Sequence, residues 1–429
     1  MQNKRLYPLV LVVSAATLLT ACASGGDTVA PDGEASGKIT VWSTSPTAEH
    51  LVELFEAEHP DIDVTLNKTA EPAQLETAFQ AGSGAPDVAM VDYSLVGQYA
   101  RAGYLAPLDD LGGAEVRDDY IDSLISQVSV EDKLYGIPLD AAPMAMMYRS
   151  DLLEAAGVEP PTTWDEFAEA AKTYRAATPD GYFVNSALSD QALNVMLWQA
   201  GITPVTTSGE EISVSYDSDQ AVKVAEYWTD LTDADAAASL PIGAPEWIQA
   251  VAEGKIATLL APAWFSGVLS NVAPDSAGSW QVAPMPTWKP GERSSAQKGG
   301  SAYTVSEQSK NKLAAATFAI WVNHEPVAAD YLFESDGFPT LKSYATDAEL
   351  LSTPFEFFGG QAVNEVFAEE LQAIPTDWQW SPFATETARL VTEAEQQIAS
   401  GAADAKEALG TLQSNVTSYA ERQGFTLKK

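Results

Sequence analysis

Three times between residues 38 and 102, a β-branched stretch gives way to one whose apolar residues fall at helical spacing. Lys38-Ile-Thr-Val-Trp42 alternates as a half-buried strand does. Leu51, Leu54 and Phe55 then share one face of a helix over 48–58, which Thr47 can cap and Pro60 ends. A second strand over 62–66 leads to a helix near 75–80, closed by Gly82-Ser-Gly84, and a buried-type strand over 88–91 leads to a helix over 95–102. Strands that alternate with helices are joined by crossovers, so the expected fold class is α/β with a mostly parallel sheet. Ligands of such sheets sit at the carboxyl ends of the strands. Ser43, Thr44, Ser45, Asp92 and Tyr93 are thereby placed beside a cleft.

Farther along, helices are expected over 164–176, 189–199, 218–231 and 246–253, followed by a short buried strand over 256–260. A polar, Gly-ended return segment covers 294–300, and helices follow over 310–323, 325–333 and 365–372. The stretch 384–419 reads as helical, with Gly401 and Gly410 as punctuation. About 390 residues are available for folding, more than one typical core accommodates, which points to two lobes.

The chain before residue 38 has a different character. Lys4 and Arg5 precede an apolar run over 6–20 of about 15 residues, signal-peptide length and short of a membrane span. Pro8 disfavours a stable membrane helix. The run ends in Leu19-Thr20-Ala21-Cys22, which resembles the bacterial lipobox, and Cys22 is the only cysteine. The expectation is a signal peptide over 1–21 and a diacylglyceryl thioether on Cys22. Residues 22–37, rich in Gly, Ser, Asp and Pro, then read as a flexible tether. An ordinary signal peptide with an incidental cysteine is the alternative.

With Cys22 lipidated, no disulfide can form within the chain, and thiol-ligated metal is disfavoured. His50, His59 and His324 are scattered, so neither metal nor cofactor is expected. The net charge of −37 grows by two more negative units once Lys4 and Arg5 leave. That field repels nucleic acid and anionic lipid and disfavours a strongly anionic ligand. The supply of aromatics, 11 Trp and 15 Tyr, exceeds what such exclusions explain. Aromatic faces pack cores, and they also stack on the apolar C–H face of sugar rings.

Five ordered segments together resemble the family 1 extracellular solute-binding proteins, the group of the maltodextrin-binding protein. They are Glu49-x-x-x-Glu53-Leu-Phe-Glu-x-Glu58-x-Pro60-Asp-Ile-Asp-Val64; Ala85-Pro-Asp-Val88 through Tyr99 to Asp109; and Tyr135-Gly-Ile-Pro138 with Met147-Tyr148-Arg-Ser-Asp-Leu152, Ala156-Gly157 and Pro160-Pro-Thr-Thr-Trp164-Asp-Glu-Phe167. Gly254-Lys-Ile-Ala257 with Pro262-Ala-Trp264, and Gly299-Gly-Ser-Ala-Tyr303, complete the set. The sequence departs from the family at Arg149, where Asn is usual, at Leu260-Ala-Pro-Ala-Trp264, which lacks the usual Asn-Gly, and at Gly337–Pro339.

The resemblance implies a two-lobe, type II periplasmic-binding-protein-like clamshell with three inter-lobe crossings, near 139–146, 297–301 and 340–344. The lobes would be 38–141 plus 301–342, and 142–300 plus 343–429. It further implies a monomeric lipoprotein, not an enzyme, that captures a mono- or oligosaccharide by hinge closure and delivers it to ABC permease subunits at the outer face of the cytoplasmic membrane. Another small polar solute such as a polyamine, a surface adaptor role, and a lipoprotein hydrolase are the competing readings. No Gly-x-Ser-x-Gly or His-Glu-x-x-His supports the hydrolase.

Ligand-binding candidates follow, each beside a structural alternative. Trp264 aligns with a sugar-stacking aromatic of the family, or packs in the core. Asp92 and Tyr93 lie past a strand end, where a carboxylate accepts strong hydrogen bonds from hydroxyls or caps a helix. Thr44 and Ser45 bind or cap. Asp140 binds on closure or serves the hinge. Trp198 walls the cleft or is core. One of Trp378 and Trp380 faces ligand. Gly300 admits a ligand close to the backbone or makes a turn. Trp42, Trp164 and Trp321 are assigned to the core.

Overall fold

The computed structural model describes residues 35–69, 72–335 and 338–428. The signal peptide, Cys22 and the tether as far as residue 34 lie outside them. The first strand, Gly37–Trp42, opens within the stretch read as tether.

Two five-stranded sheets organise the chain. In the first, Ile62–Asn67, Gly37–Trp42 and Val88–Asp92 run parallel, with Val41 paired to both Leu66 and Val88. Helix Ala48–Glu58 buries Leu51 and Phe55, but Leu54 is only partly covered. Phe55 meets Phe318 and Trp321 of helix Lys312–His324 edge-on, at ring separations of 5.0 and 5.5 Å. The first sheet is not purely parallel. Ser301–Val305 inserts antiparallel between Val88–Asp92 and Ile137–Pro138. It returns directly from the other sheet without a crossover helix, so its direction is reversed.

The second sheet runs in the order Ala237–Ala238, Tyr182–Asn185, Ile256–Pro262, Met144–Arg149, Trp280–Ala283. Met144–Arg149 is antiparallel to both neighbours for the same reason. Every residue from Met144 to Tyr148 is buried, as expected of a strand covered on both faces. Helix Trp164–Ala177 starts on a capping box between Thr163 and Glu166 and packs Trp164 against Phe167 and Trp228.

The chain passes between the sheets three times. It leaves the first after Pro138 and enters the second at Met144, then returns between Ala283 and Ser301. Pro143 bridges Gln297, so these two passages lie side by side. The third passage follows Leu341, which bridges Tyr120 of the first body; Phe357 then accepts a backbone hydrogen bond from Gly278 of the second.

Two helical expectations shift. The helix expected from Ser189 starts at Leu193, after a 3-10 turn over Ala187–Ser189, because Gln191 adopts a left-handed φ of 52°. The stretch 384–419 splits into Ala384–Ala399 and Ala405–Arg422 at Gly401, whose φ is +69°, while Gly410 lies inside the second helix. Among the described residues, no helix is long and apolar enough to cross a membrane.

Candidate binding cleft

The parallel strands of both sheets end toward the same gap. Trp42 ends one strand and Ser43 and Thr44 follow it, Asp92 ends another, and Trp264 follows Ile256–Pro262 of the opposite sheet. Three adjoining cavities of about 360, 470 and 380 Å³ occupy the gap, and Trp264 lines all of them. Each is large enough for a small-molecule ligand.

Trp264 is 41% exposed, which excludes core packing as its role. Its indole Nε1 donates to the Lys298 carbonyl at 3.1 Å, and Phe265 meets its ring edge-on. The ring is held while much of its surface stays open. A large apolar surface left open beside polar groups is what a ligand site requires.

The opposite wall supplies oxygens. Thr44, Ser45, Asp140 and Ser301 line one cavity, and Thr44, Asp92, Asp140 and Ser301 another. Asp92 caps helix Tyr93–Arg101 by accepting from the Ser94 amide at 2.8 Å, so capping and cleft exposure coexist. Asp140 Oδ1 accepts from the Ser301 amide and hydroxyl at 2.8 and 2.7 Å. Desolvation pushes the Asp140 carboxyl above the usual carboxylate range, the Ser301 bonds pull it back, and Asp92 adds repulsion. Desolvation raises Asp92 too, against the two Ser94 bonds.

Five candidates are placed elsewhere or in other roles. Tyr93 is fully buried; its hydroxyl donates to the Asp140 carbonyl at 2.8 Å and its amide to the Gly300 carbonyl. Gly300, at φ +92°, makes room for Tyr93, since a Cβ there would lie 2.7 Å from the ring. Trp198 is buried, stacked on Trp378 at 4.7 Å and 12°, and donates to the Pro375 carbonyl. Trp378 is buried too. Trp380 lies edge-on to both rings and donates to Gln127 Oε1. Trp378 and Trp380 line a different cavity, with Gly97, Arg101 and Gln127. Three aromatics close in space pack on one another at the edge of the common core, which i, i+2 spacing alone does not reveal.

Other cleft residues carry no sequence signal. Trp42, assigned to the core, lines the cavity that holds Asp92. Asp190 and Lys298 line the cavity beside Trp247 and pair at 2.8 Å. Burial raises the Asp190 carboxyl and Lys298 opposes the shift. Among the described residues, no three His, Cys, Asp or Glu cluster as a metal site.

Residues 42–329 match the family described as bacterial extracellular solute-binding protein. A lactose-binding protein of Rhizobium radiobacter is 28% identical over 86% of this chain and 89% of its own. A galactooligosaccharide-binding protein of Bacillus subtilis is 25% identical over 95% of each chain. Among solved structures, the ABC transporter associated binding protein of B. animalis subsp. lactis, in complex with β-1,6-galactobiose, is 30% identical. It superposes with a TM-score of 0.80 over 92% of this chain and 100% of that one. The galacto-N-biose-/lacto-N-biose I-binding protein of Bifidobacterium longum, 25% identical, gives 0.80 over the same shares. The two-lobe clamshell is thus a fold held in common with binding proteins of ABC transporters.

Proposed function

The chain belongs to the bacterial extracellular solute-binding proteins, and on that footing we propose that it captures a neutral mono- or oligosaccharide between its lobes for delivery to ABC permease subunits. The observation that carries this reading is the open indole of Trp264 facing Asp92, Asp140 and Thr44 across a gap. A pyranose needs an apolar surface for its C–H face and acceptors for its hydroxyls, and the two walls supply one each. The complexes of similar proteins with β-1,6-galactobiose and lacto-N-biose support a β-linked galactoside as the first ligand to try.

The lobes are assigned as 38–141 plus 301–342 and 142–300 plus 343–429. The bridge from Leu341 to Tyr120, and the pairing of Thr426–Leu427 with Glu211–Val214, support that division. Closure of one lobe on the other is driven by the tighter binding of ligand to the closed form. The protein acts as a carrier, without a chemical step, and as a monomer. Its tether is a lipid on Cys22, where one acyl chain binds only reversibly and several hold firmly.

A thermal-shift panel of β-1,6-galactobiose, lactose, maltose, arabinose and spermidine tests the reading. A hundredfold ligand excess over Kd stabilises by about 2.7 kcal/mol, well within detection. A response to spermidine alone, or to nothing, overturns the sugar assignment. The anchor is tested separately: Cys22→Ser should release the protein from the membrane fraction into the medium or periplasm.

A further inference from the structure

Below the Trp264 cleft lie charged groups that ligand contact does not explain. Glu395, on helix Ala384–Ala399, is 1% exposed. Its Oε1 accepts from the Leu193 amide at 2.8 Å, while Oε2 has no hydrogen-bond partner. Leu193 closes the turn that contains Asp190 and the left-handed Gln191. Asp190 Oδ2 pairs with the Lys298 ammonium, which also donates to the Asp190 carbonyl at 2.9 Å. Asp190 Oδ1 is buried and unpartnered as well. The Lys298 backbone carbonyl in turn holds the Trp264 indole.

The contacts therefore form one sequence, from Glu395 to the 187–193 turn, to the Asp190–Lys298 pair, to Trp264. The geometry points to Glu395 as a positioning residue of the cleft, which fixes that turn and through it Lys298 and the Trp264 ring. Of the two buried carboxyl groups here, Asp190 is the one that pairs with the ammonium, while Glu395 bonds the Leu193 amide. Such a set is stable when one carboxyl stays neutral, because a second buried anion has nothing to pair with. Lys298 holds Asp190 directly, which leaves Glu395 as the neutral member, and desolvation with repulsion from Asp190 raises its pKa to about 8, against the Leu193 amide and Lys298. The other groups around it leave that assignment intact. Tyr216 bonds Asn194, helix Ala405–Arg422 buries only apolar residues, and Gln98 of helix Tyr93–Arg101 meets the helix of Glu395 at Thr385.

Above its transition Glu395 becomes an anion beside Asp190, and the turn should loosen. The consequence for binding rests on the reading of the Trp264 cleft as the sugar site; the consequence for the turn does not. Amide hydrogen exchange over 187–193 in the sugar-free protein, corrected for the chemical rate and followed from pH 6 to 9.5, tests it. Protection should fall by up to about tenfold per pH unit from pH 6 to about pH 8, the slope for one linked proton, and level off above it. Glu395→Gln keeps the acceptor for Leu193 and cannot ionise, so its protection should not change with pH across this range. Glu395→Ala should lose protection at every pH; if it fails to fold, the Gln variant still decides. A flat wild-type profile, or a Gln variant that follows the wild-type decline, overturns the proposal. Affinity for β-1,6-galactobiose should track exchange in both proteins. Absence of binding with the exchange profile intact removes the sugar reading and leaves the positioning role standing.

Discussion

Tyr93 and Asp140 are joined by a 2.8 Å hydrogen bond from the phenol to the backbone carbonyl, which ties the end of the 88–92 strand to the first passage between the lobes. The carboxyl group of the same Asp140 bonds Ser301, where the second passage ends. One buried tyrosine and one aspartate thus lock two of the three passages to the first sheet. The arrangement leaves no room for a side chain at residue 300.

Gly300→Ala tests that statement. The new Cβ would sit 2.7 and 2.9 Å from two ring carbons of Tyr93, at a φ of +92° that L residues rarely adopt. The left-handed backbone and the overpacking together should cost about 2–4 kcal/mol. Chemical denaturation measures the loss. A variant as stable as wild type would show that the Tyr93 ring yields easily.

Trp264→Ala should do the reverse. The residue is 41% exposed, so stability should change little. Ligand affinity should fall by about 2 kcal/mol or more, roughly thirtyfold, as for a central aromatic contact. Calorimetric titration with the best sugar from the panel reads it, and an unchanged Kd takes Trp264 out of the site.

Trp198→Ala separates core from cleft. This ring is buried and stacked on Trp378. Its removal leaves a cavity and should cost about 3–5 kcal/mol. At a temperature where the variant remains folded, Kd should be near wild type. A large affinity loss in a folded variant would bring Trp198 back into the site.

Glu395→Gln should stabilise the protein at neutral pH. The carboxyl titrates near 4.5 when unfolded and about 8 when folded. Between those values the folded state binds more protons, so wild-type stability falls as pH rises and levels off above 8. Glutamine has no such dependence. The difference between the variant and wild type should be small at pH 4.5 and grow to a few kcal/mol by pH 8. Denaturation midpoints measured across that range give the result, and parallel curves for the two proteins would rule out the shift.

Strand and helix were legible along 38–102 because each element announces itself by its own apolar period. The insertion of 301–305 beside 88–92 was not, since a strand's partner more than 200 residues away leaves no local trace. Strand ends pointed to Thr44, Asp92 and Trp264 beside a gap, and all three line cavities there. Trp198, Trp378 and Trp380 show the limit of aromatic supply as a guide, because the same three residues can wall a cleft or stack on one another. Asp190, Lys298 and Glu395 escaped notice for a simpler reason. Single charges so far apart in the chain form no pattern until folding brings them together.

The place of Ser301–Val305 within the first sheet also bears on the order of folding. The 88–92 strand keeps one edge unpaired until residue 305 has been synthesised, so the first lobe cannot be completed until residues 142–300 of the second have been made. Contacts of such long sequence separation form late and slowly. A nascent chain of this design stays open for most of its synthesis, a state suited to threading through a narrow export channel.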